Sequence, residues 1–145
     1  MALTGQFERS LDQKFRLAVP KSLLIEFADP PPDHLYVAKG YDHCLDLYSP
    51  EEFNLLAERL KERSSSQDEF RRYERLFFSS AERLSLDSQS RVRLPDRLVK
   101  EASLEREVML VGVRNRAEVW DRNKWEEFQA SIGENFDDVA RNALN

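Results

Sequence analysis

Leu11-Asp-Gln-Lys-Phe-Arg-Leu-Ala-Val-Pro20 returns 75 positions later as Leu86-Asp-Ser-Gln-Ser-Arg-Val-Arg-Leu-Pro95, with Leu, Asp, Arg and Pro in register. One structural unit therefore occurs twice in the chain, and its special residues are presented twice. The flanks agree. After each Pro come apolar residues (Leu23 and Leu24; Leu98 and Val99), then two apolar runs and a helix start. Those runs are 35–40 with 44–48 in the first copy and 108–112 with 117–120 in the second. Gly40 to Tyr48 has the spacing of Gly112 to Trp120, and Phe53 then aligns with Trp125, which assigns a three-residue length difference to the Pro30-Pro31-Pro32 region. Loops absorb such differences.

A chain of 145 residues is about the size of one ordinary domain. One repeat of about 50 residues buries too little apolar surface to stand alone, so the halves are expected to pack on each other or on further copies of the chain. The hydrophobic fraction of 41% beside 34% charged residues is that of a soluble globular protein. No run approaches the roughly 20 apolar residues of a membrane helix, and no apolar signal core follows Met1, so a cytoplasmic protein with no membrane partner is expected. Cys44 is the only cysteine, which excludes an internal disulfide and a multi-thiolate zinc site from one chain; on an apolar strand it reads as a buried structural thiol.

The net charge of −5 is unevenly spread. Residues 1–21 carry four cations against two carboxylates and residues 82–100 carry five against three, so each stretch is +2 and the remainder is −9. Acidic helices with relatively basic repeat loops would orient the molecule toward a polyanion. Arginine outnumbers lysine 16 to 6, which suits bidentate contact with phosphate or guanine edges and serves surface ion pairs equally well.

Ser49-Pro50-Glu51-Glu52 supplies an N-cap, a Pro at the first helical position and a Glu three residues on, predicting a helix from 50 to about 62. Ser66 starts a similar signature and the Phe70, Tyr73, Phe77 stripe continues it, predicting a helix from 67 to about 78. Asp121 is placed to cap a helix running through Trp125 and Phe128, and a loose helix is expected over 134–145. The remaining apolar runs are short and broken by turn residues at 39–43 and 114–116, and they read as hairpins. Each repeated loop is expected to be a strand, an Asp-x-x-x-Arg turn and a second strand ending at Pro.

Asp-x-x-x-Arg alone is weak, since about one occurrence is expected by chance from this composition. The chain has four. Asp68/Arg72 and Asp137/Arg141 lie in helical stretches, where the spacing makes an ordinary surface ion pair. Asp12/Arg16 and Asp87/Arg91 sit in equivalent loops, each preceded by Leu and followed by apolar, any, apolar, Pro. There the Asp can accept backbone N–H groups and hold the guanidinium in one direction, lowering the entropy lost when it meets a phosphate or base edge.

The two loops, the hairpin ending Leu45-Asp-Leu-Tyr48, the run from Glu107 to Gly112 and the Glu118-Val-Trp120 strand leading to Trp125 resemble the MraZ family of bacterial regulators, over roughly residues 6–129. The resemblance implies an α+β, β-rich fold: a pseudo-twofold swapped-hairpin core of the SpoVT/AbrB double-ψ type, made of two repeats in one chain, with peripheral helices. The implied divisions are repeat 1 over 6–52, connecting helices over 53–80, repeat 2 over 81–124 and a C-terminal helix or tail over 125–145. It also implies a transcription regulator that binds direct repeats in the promoter of its own division and cell-wall gene cluster, assembled as a homo-oligomeric ring and associated with the nucleoid. The family's DNA-contacting motif carries over onto Asp12, Lys14 and Arg16 and onto Asp87 and Arg91, with Arg93 beside them. One departure stands out: the Gly usual before the Arg is Phe15 in the first loop and Ser90 in the second. A Phe tolerates positive φ poorly. Either the turn is rebuilt, or Phe15 is exposed for packing against a neighbour or a DNA sugar.

Competing classes are an antitoxin-like or scaffold protein, whose helix stripe Phe70, Tyr73, Phe77 would recruit a protein partner, an enzyme, and a metal-binding protein using His34, Asp42 and His43. No catalytic residue, metal site or cofactor is expected. His43 and Cys44 are adjacent on a strand and point apart, no phosphate-cradling glycine loop occurs, and turn chemistry explains the histidines more simply.

Overall fold

The computed structural model describes residues 2–63, 67–132 and 135–145. It is an α+β fold of antiparallel strands in which each repeat runs strand, strand, short helix, hairpin, helix, helix. The first repeat comprises β1 (Gln6–Ser10), β2 (Arg16–Ala18), α1 (Lys21–Phe27), β3 (His34–Lys39), β4 (Leu45–Tyr48), α2 (Pro50–Lys61) and α3 (Asp68–Ser80). The second comprises β5 (Glu82–Ser85), β6 (Arg91–Arg93), α4 (Asp96–Glu101), β7 (Glu107–Val113), β8 (Arg116–Asp121), α5 (Arg122–Ile132) and α6 (Phe136–Leu144).

The two halves exchange strands. β3 pairs with β4 and β7 with β8 as the expected hairpins, but β1 pairs with β7 and β5 with β3, each crossing to the other repeat. The six-stranded sheet runs β1-β7-β8-β4-β3-β5, an order that reads the same after exchanging repeats, and β2 and β6 form a separate two-stranded ribbon. The register fixes the pseudo-twofold axis. In the ribbon, Leu17 lies opposite its own repeat equivalent Val92; in the sheet, Asp46 lies opposite its equivalent Glu118. An axis relating the repeats therefore passes through both pairs.

Strand alternation sends Leu17 and Val92 inward, with Leu35, Val37, Leu45, Leu47, Val108, Leu110 and Val119 rising from the sheet and Leu23 and Leu98 from α1 and α4; all are essentially inaccessible to water. Both repeats contribute to this central core. The sheet's other face carries two aromatic clusters. Tyr36, Tyr48, Phe53 and Phe77 gather under α2 and α3, and Trp120, Trp125 and Phe128 gather with Met109 beside α5. Tyr36 stacks on Phe53 with centroids 4.5 Å apart.

The Ser49 cap forms as read, accepting from the Glu52 N–H at 3.1 Å with Pro50 in the first turn. Other expectations need correction. The capping signature at Ser66 lies outside the described residues, and α3 follows Gln67, which makes no side-chain cap. In the stripe Phe70, Tyr73, Phe77, Phe77 is buried against Tyr48 and Phe53, while Tyr73 stacks on it and stays partly exposed. Asp121 closes β8, and its carboxylate accepts from the Glu105 N–H at 3.1 Å, tying the loop before β7 to the start of α5. The helical ion pairs form one residue off the expected spacing, as Asp68–Arg71, Glu69–Arg72 and Asp138–Arg141.

The length difference between repeats is also divided differently. Tyr36 faces Tyr48 and Met109 faces Trp120, so β3 and β7 are 73 residues apart in equivalence, against 72 for the strands that follow. Two of the three extra residues fall before β3; the third is in the hairpin turn, five residues between Lys39 and Leu45 against four between Gly112 and Ala117. Gly112 thus matches Lys39. It needs no side chain because a Cβ would lie 2.4 Å from the backbone nitrogen of Thr4, where the chain before β1 crosses β7.

Candidate nucleic-acid interface

The Asp12 carboxylate organises the first loop by itself. One oxygen accepts from the N–H groups of Lys14 and Arg16, both at 2.9 Å, and the other accepts from Nε of Arg16 at 2.5 Å. The backbone closes the same turn, with Phe15 N–H donating to the Asp12 carbonyl at 2.9 Å and Asp12 N–H to the Arg16 carbonyl at 3.3 Å. Asp87 repeats the arrangement: Gln89 N–H, Arg91 N–H and Arg91 Nε all donate to its carboxylate at 2.9 Å, and Ser90 N–H donates to its carbonyl at 2.9 Å. The Arg16 backbone N–H, more than the guanidinium, holds the Asp12 carboxyl down at about 2, and the Arg91 N–H likewise lowers that of Asp87. Both loops are charged and closed at any ordinary pH.

Phe15 and Ser90 each have φ of 60°, the left-handed conformation that the departure from Gly put in question. Neither expected resolution holds. The turn is not rebuilt, and Phe15 is not thrust into solvent; it is half-buried and packs on the main core. That packing, with the hydrogen bonds of the Asp, offsets a backbone conformation that costs a non-Gly residue about 1–2 kcal/mol.

Each loop is held at both ends by the other repeat. Leu11 N–H donates to Arg106 and Leu86 N–H to Asp33, while Leu94 N–H donates to Phe15 and Val19 N–H to Ser90, at 2.8–2.9 Å. Because Leu17 and Val92 point inward, Arg16, Ala18, Arg91 and Arg93 point the other way, with Arg16 opposite Arg93 and Ala18 opposite Arg91. The ribbon thus brings Arg16, Arg91 and Arg93 onto one face, with Lys14 exposed on the loop beside it. Arg16 and Arg91 keep 35% and 28% of their side-chain surface in water, and their own Asp residues 34% and 35%. The guanidiniums are neither locked inside nor sealed off. Arg91 Nη1 also comes within 3.9 Å of the Asp12 carboxylate, so the two loops share one electrostatic neighbourhood.

The chain matches the family model described as "MraZ protein, putative antitoxin-like" twice, over residues 2–76 and 77–145. The chain belongs to the MraZ family. Proteins named "Transcriptional regulator MraZ" from Pediococcus pentosaceus and Ligilactobacillus salivarius are 38% and 35% identical to it, each over 97% of this chain and 96% of their own length. One from Alkaliphilus oremlandii is 33% identical over 94% of this chain and 92% of its own. The two MraZ matches divide the chain just after the middle of α3, so each contains one complete Asp-x-x-x-Arg loop.

Sequence reasoning missed two features of this MraZ chain. Arg9, counted only as a charge, donates from Nε to the Ala18 carbonyl at 3.1 Å and fixes the edge of β2. Asp46, Glu118 and Arg116 meet on the outer face of the sheet, where a carboxylate between two leucines in an apolar strand was the available sign. His34, Asp42 and His43 are not brought together: His34 pairs with Asp33, and Asp42 and His43 are exposed in a turn. The buried Cys44 thiol is pushed up by desolvation and then by the nearby Asp46 and Glu118 charges, which leaves it a poor nucleophile. No described helix is long and apolar enough to cross a membrane.

Proposed function

We propose that this chain is a DNA-binding transcription regulator whose two Asp-x-x-x-Arg loops contact double-stranded DNA through Arg16, Arg91 and Arg93, with Lys14 adding a phosphate contact and Asp12 and Asp87 holding the loops closed. The observation that carries this reading is the single outward face on which three guanidiniums from both repeats stand. A three-residue ribbon is about 7 Å long. A major groove about 12 Å wide admits such a ribbon, and Arg there reads guanine O6 and N7 in bidentate fashion. Fixing Nε on the Asp leaves the outer guanidinium edge for DNA and reduces the ordering that binding requires. The naming of the relatives as transcriptional regulators supports the same reading.

The finer function follows the family resemblance: binding to direct repeats in the promoter of the chain's own division and cell-wall gene cluster, by a homo-oligomeric ring in a nucleoid-associated, cytoplasmic protein. One subunit offers one short ribbon, so several subunits at fixed spacing would convert weak contacts into tight binding on repeated half-sites. A mobility-shift assay tests this with the DNA just upstream of the gene and with scrambled DNA of the same length, each at two salt concentrations. Preferential retention of the upstream fragment, persisting at the higher salt, is expected. Equal retention of both fragments would reduce the chain to a nonspecific polyanion binder, and no retention would refute the DNA reading.

A further inference from the structure

We propose that Asp46 and Glu118, facing each other on the pseudo-twofold axis with Arg116 beside them, form a proton-binding centre that makes the strength of the junction between the two repeats depend on pH. The geometry supplies two carboxylates and one guanidinium. Asp46 and Glu118 are directly opposite in the β4–β8 pair, and a carboxylate oxygen of each lies within 4.8 Å of the other and of Cys44 Sγ. Like charges directly opposite each other on adjacent strands oppose pairing. Arg116 reaches both, with Nη2 2.9 Å from Glu118 and Nε 3.5 Å from Asp46, and is the cation acting on this pair among the described residues. The cluster therefore carries one excess negative charge in a place with little water, since Asp46 is buried and Glu118 largely so.

Beyond Arg116, the polar side chains that touch the pair are neutral. Tyr48 donates its hydroxyl to Asp46 at 3.3 Å, Trp120 donates Nε1 to Glu118 at 3.0 Å, Cys44 Sγ is 3.8 Å from Asp46, and Tyr73 of α3 lies within electrostatic range. Tyr48 belongs to the aromatic cluster under α2 and α3 and Trp120 to the one beside α5, so the centre pins both clusters to the seam between repeats. Burial raises the Asp46 carboxyl from 3.8 to about 6; Arg116 opposes that rise and Glu118 adds to it. Proton affinity is then on the order of 100-fold above that of a free aspartate.

The sign follows from linkage. Between 3.8 and about 6 the folded chain holds a proton that the unfolded chain has released, so this centre's contribution to stability is largest at the acid end of that window and is lost as pH rises through about 6. The closing experiment is a carboxyl-carbon NMR titration of the full chain, with thermal unfolding of wild type and Asp46→Asn across the same window. One aspartate titrating near 6, absent in Asp46→Asn, is expected, with the fall in thermal midpoint from about pH 4 to about pH 7 reduced in the variant. Glu118→Gln, which removes the opposing charge, is expected to bring the Asp46 midpoint down by several-fold in proton affinity. All aspartates titrating at or below their ordinary range, or an Asp46 midpoint unmoved by Glu118→Gln, would overturn the proposal. These readouts involve no DNA, so their failure leaves the regulator reading untouched.

Discussion

Asp12 and Asp87 do the same work in their two loops, and the consequences of losing them are specific. Asp12→Asn retains the size of the side chain but removes the charge-assisted bond to Arg16 Nε, which frees the guanidinium from its fixed direction. DNA affinity is expected to fall by roughly five- to tenfold, in line with the entropy of an unfixed side chain, while circular dichroism is unchanged. A binding titration checks this, and unchanged affinity would mean that the Asp serves the turn alone. The pH dependence is equally defined. A carboxyl lowered from 3.8 to about 2 contributes stability that is complete above about 3.8 and lost as pH falls toward 2, so loop amide protection should be flat from pH 5 to 8, roughly, and collapse only in strong acid. Ser90→Gly offers a third test. Its φ of 60° favours Gly, so stability should rise by up to about 1 kcal/mol in chemical denaturation. Phe15→Gly relieves the same strain but loses a ring packed on the core, so its gain should be smaller or reversed. That contrast also marks what the sequence could say about these positions. The missing Gly pointed to an altered turn because φ is a local property, whereas the offsetting core contact of Phe15 depends on residues distant in the chain.

The ribbon of β2 and β6 is where loop geometry and core packing meet. Leu17 and Val92 are fully buried on the axis, directly beneath the arginines. Leu17→Ala is expected to cost about 2–5 kcal/mol, read from the denaturation midpoint, and to loosen both loops together because the two strands hold each other. Loosening of the first loop alone would contradict the strand exchange. Both hairpins and α2 were readable from turn chemistry, alternation and the Ser49 cap, which are local signals. The partners of β1, β2, β5 and β6 were not, since nothing in a strand of three to five residues specifies which edge it joins; the family resemblance supplied the exchange, and the register gives it physical form. The single-residue difference in the hairpin turn was invisible for a related reason. Gly40 and Gly112 look equivalent in sequence, but Gly112 is required by the close passage of Thr4.

Taken whole, the molecule has one central core shared by two half-chains, so separate fragments 1–80 and 81–145 are expected to be unfolded alone and to gain structure when mixed. Circular dichroism checks this, and a folded isolated half would show that the interlocked sheet is dispensable. The basic balance of the two loop segments pointed to the face proposed to meet a polyanion, although the Arg116, Asp46 and Glu118 cluster on the far side needed the three-dimensional pairing of β4 with β8 to be seen. The most direct test of DNA recognition by the duplicated arginines is the salt dependence of affinity for the upstream promoter fragment, measured for wild type, Arg16→Ala and Arg91→Ala. Each substitution should weaken binding by about 1–3 kcal/mol per contact and reduce the slope of affinity against salt. Wild-type affinity and slope in both variants would contradict it.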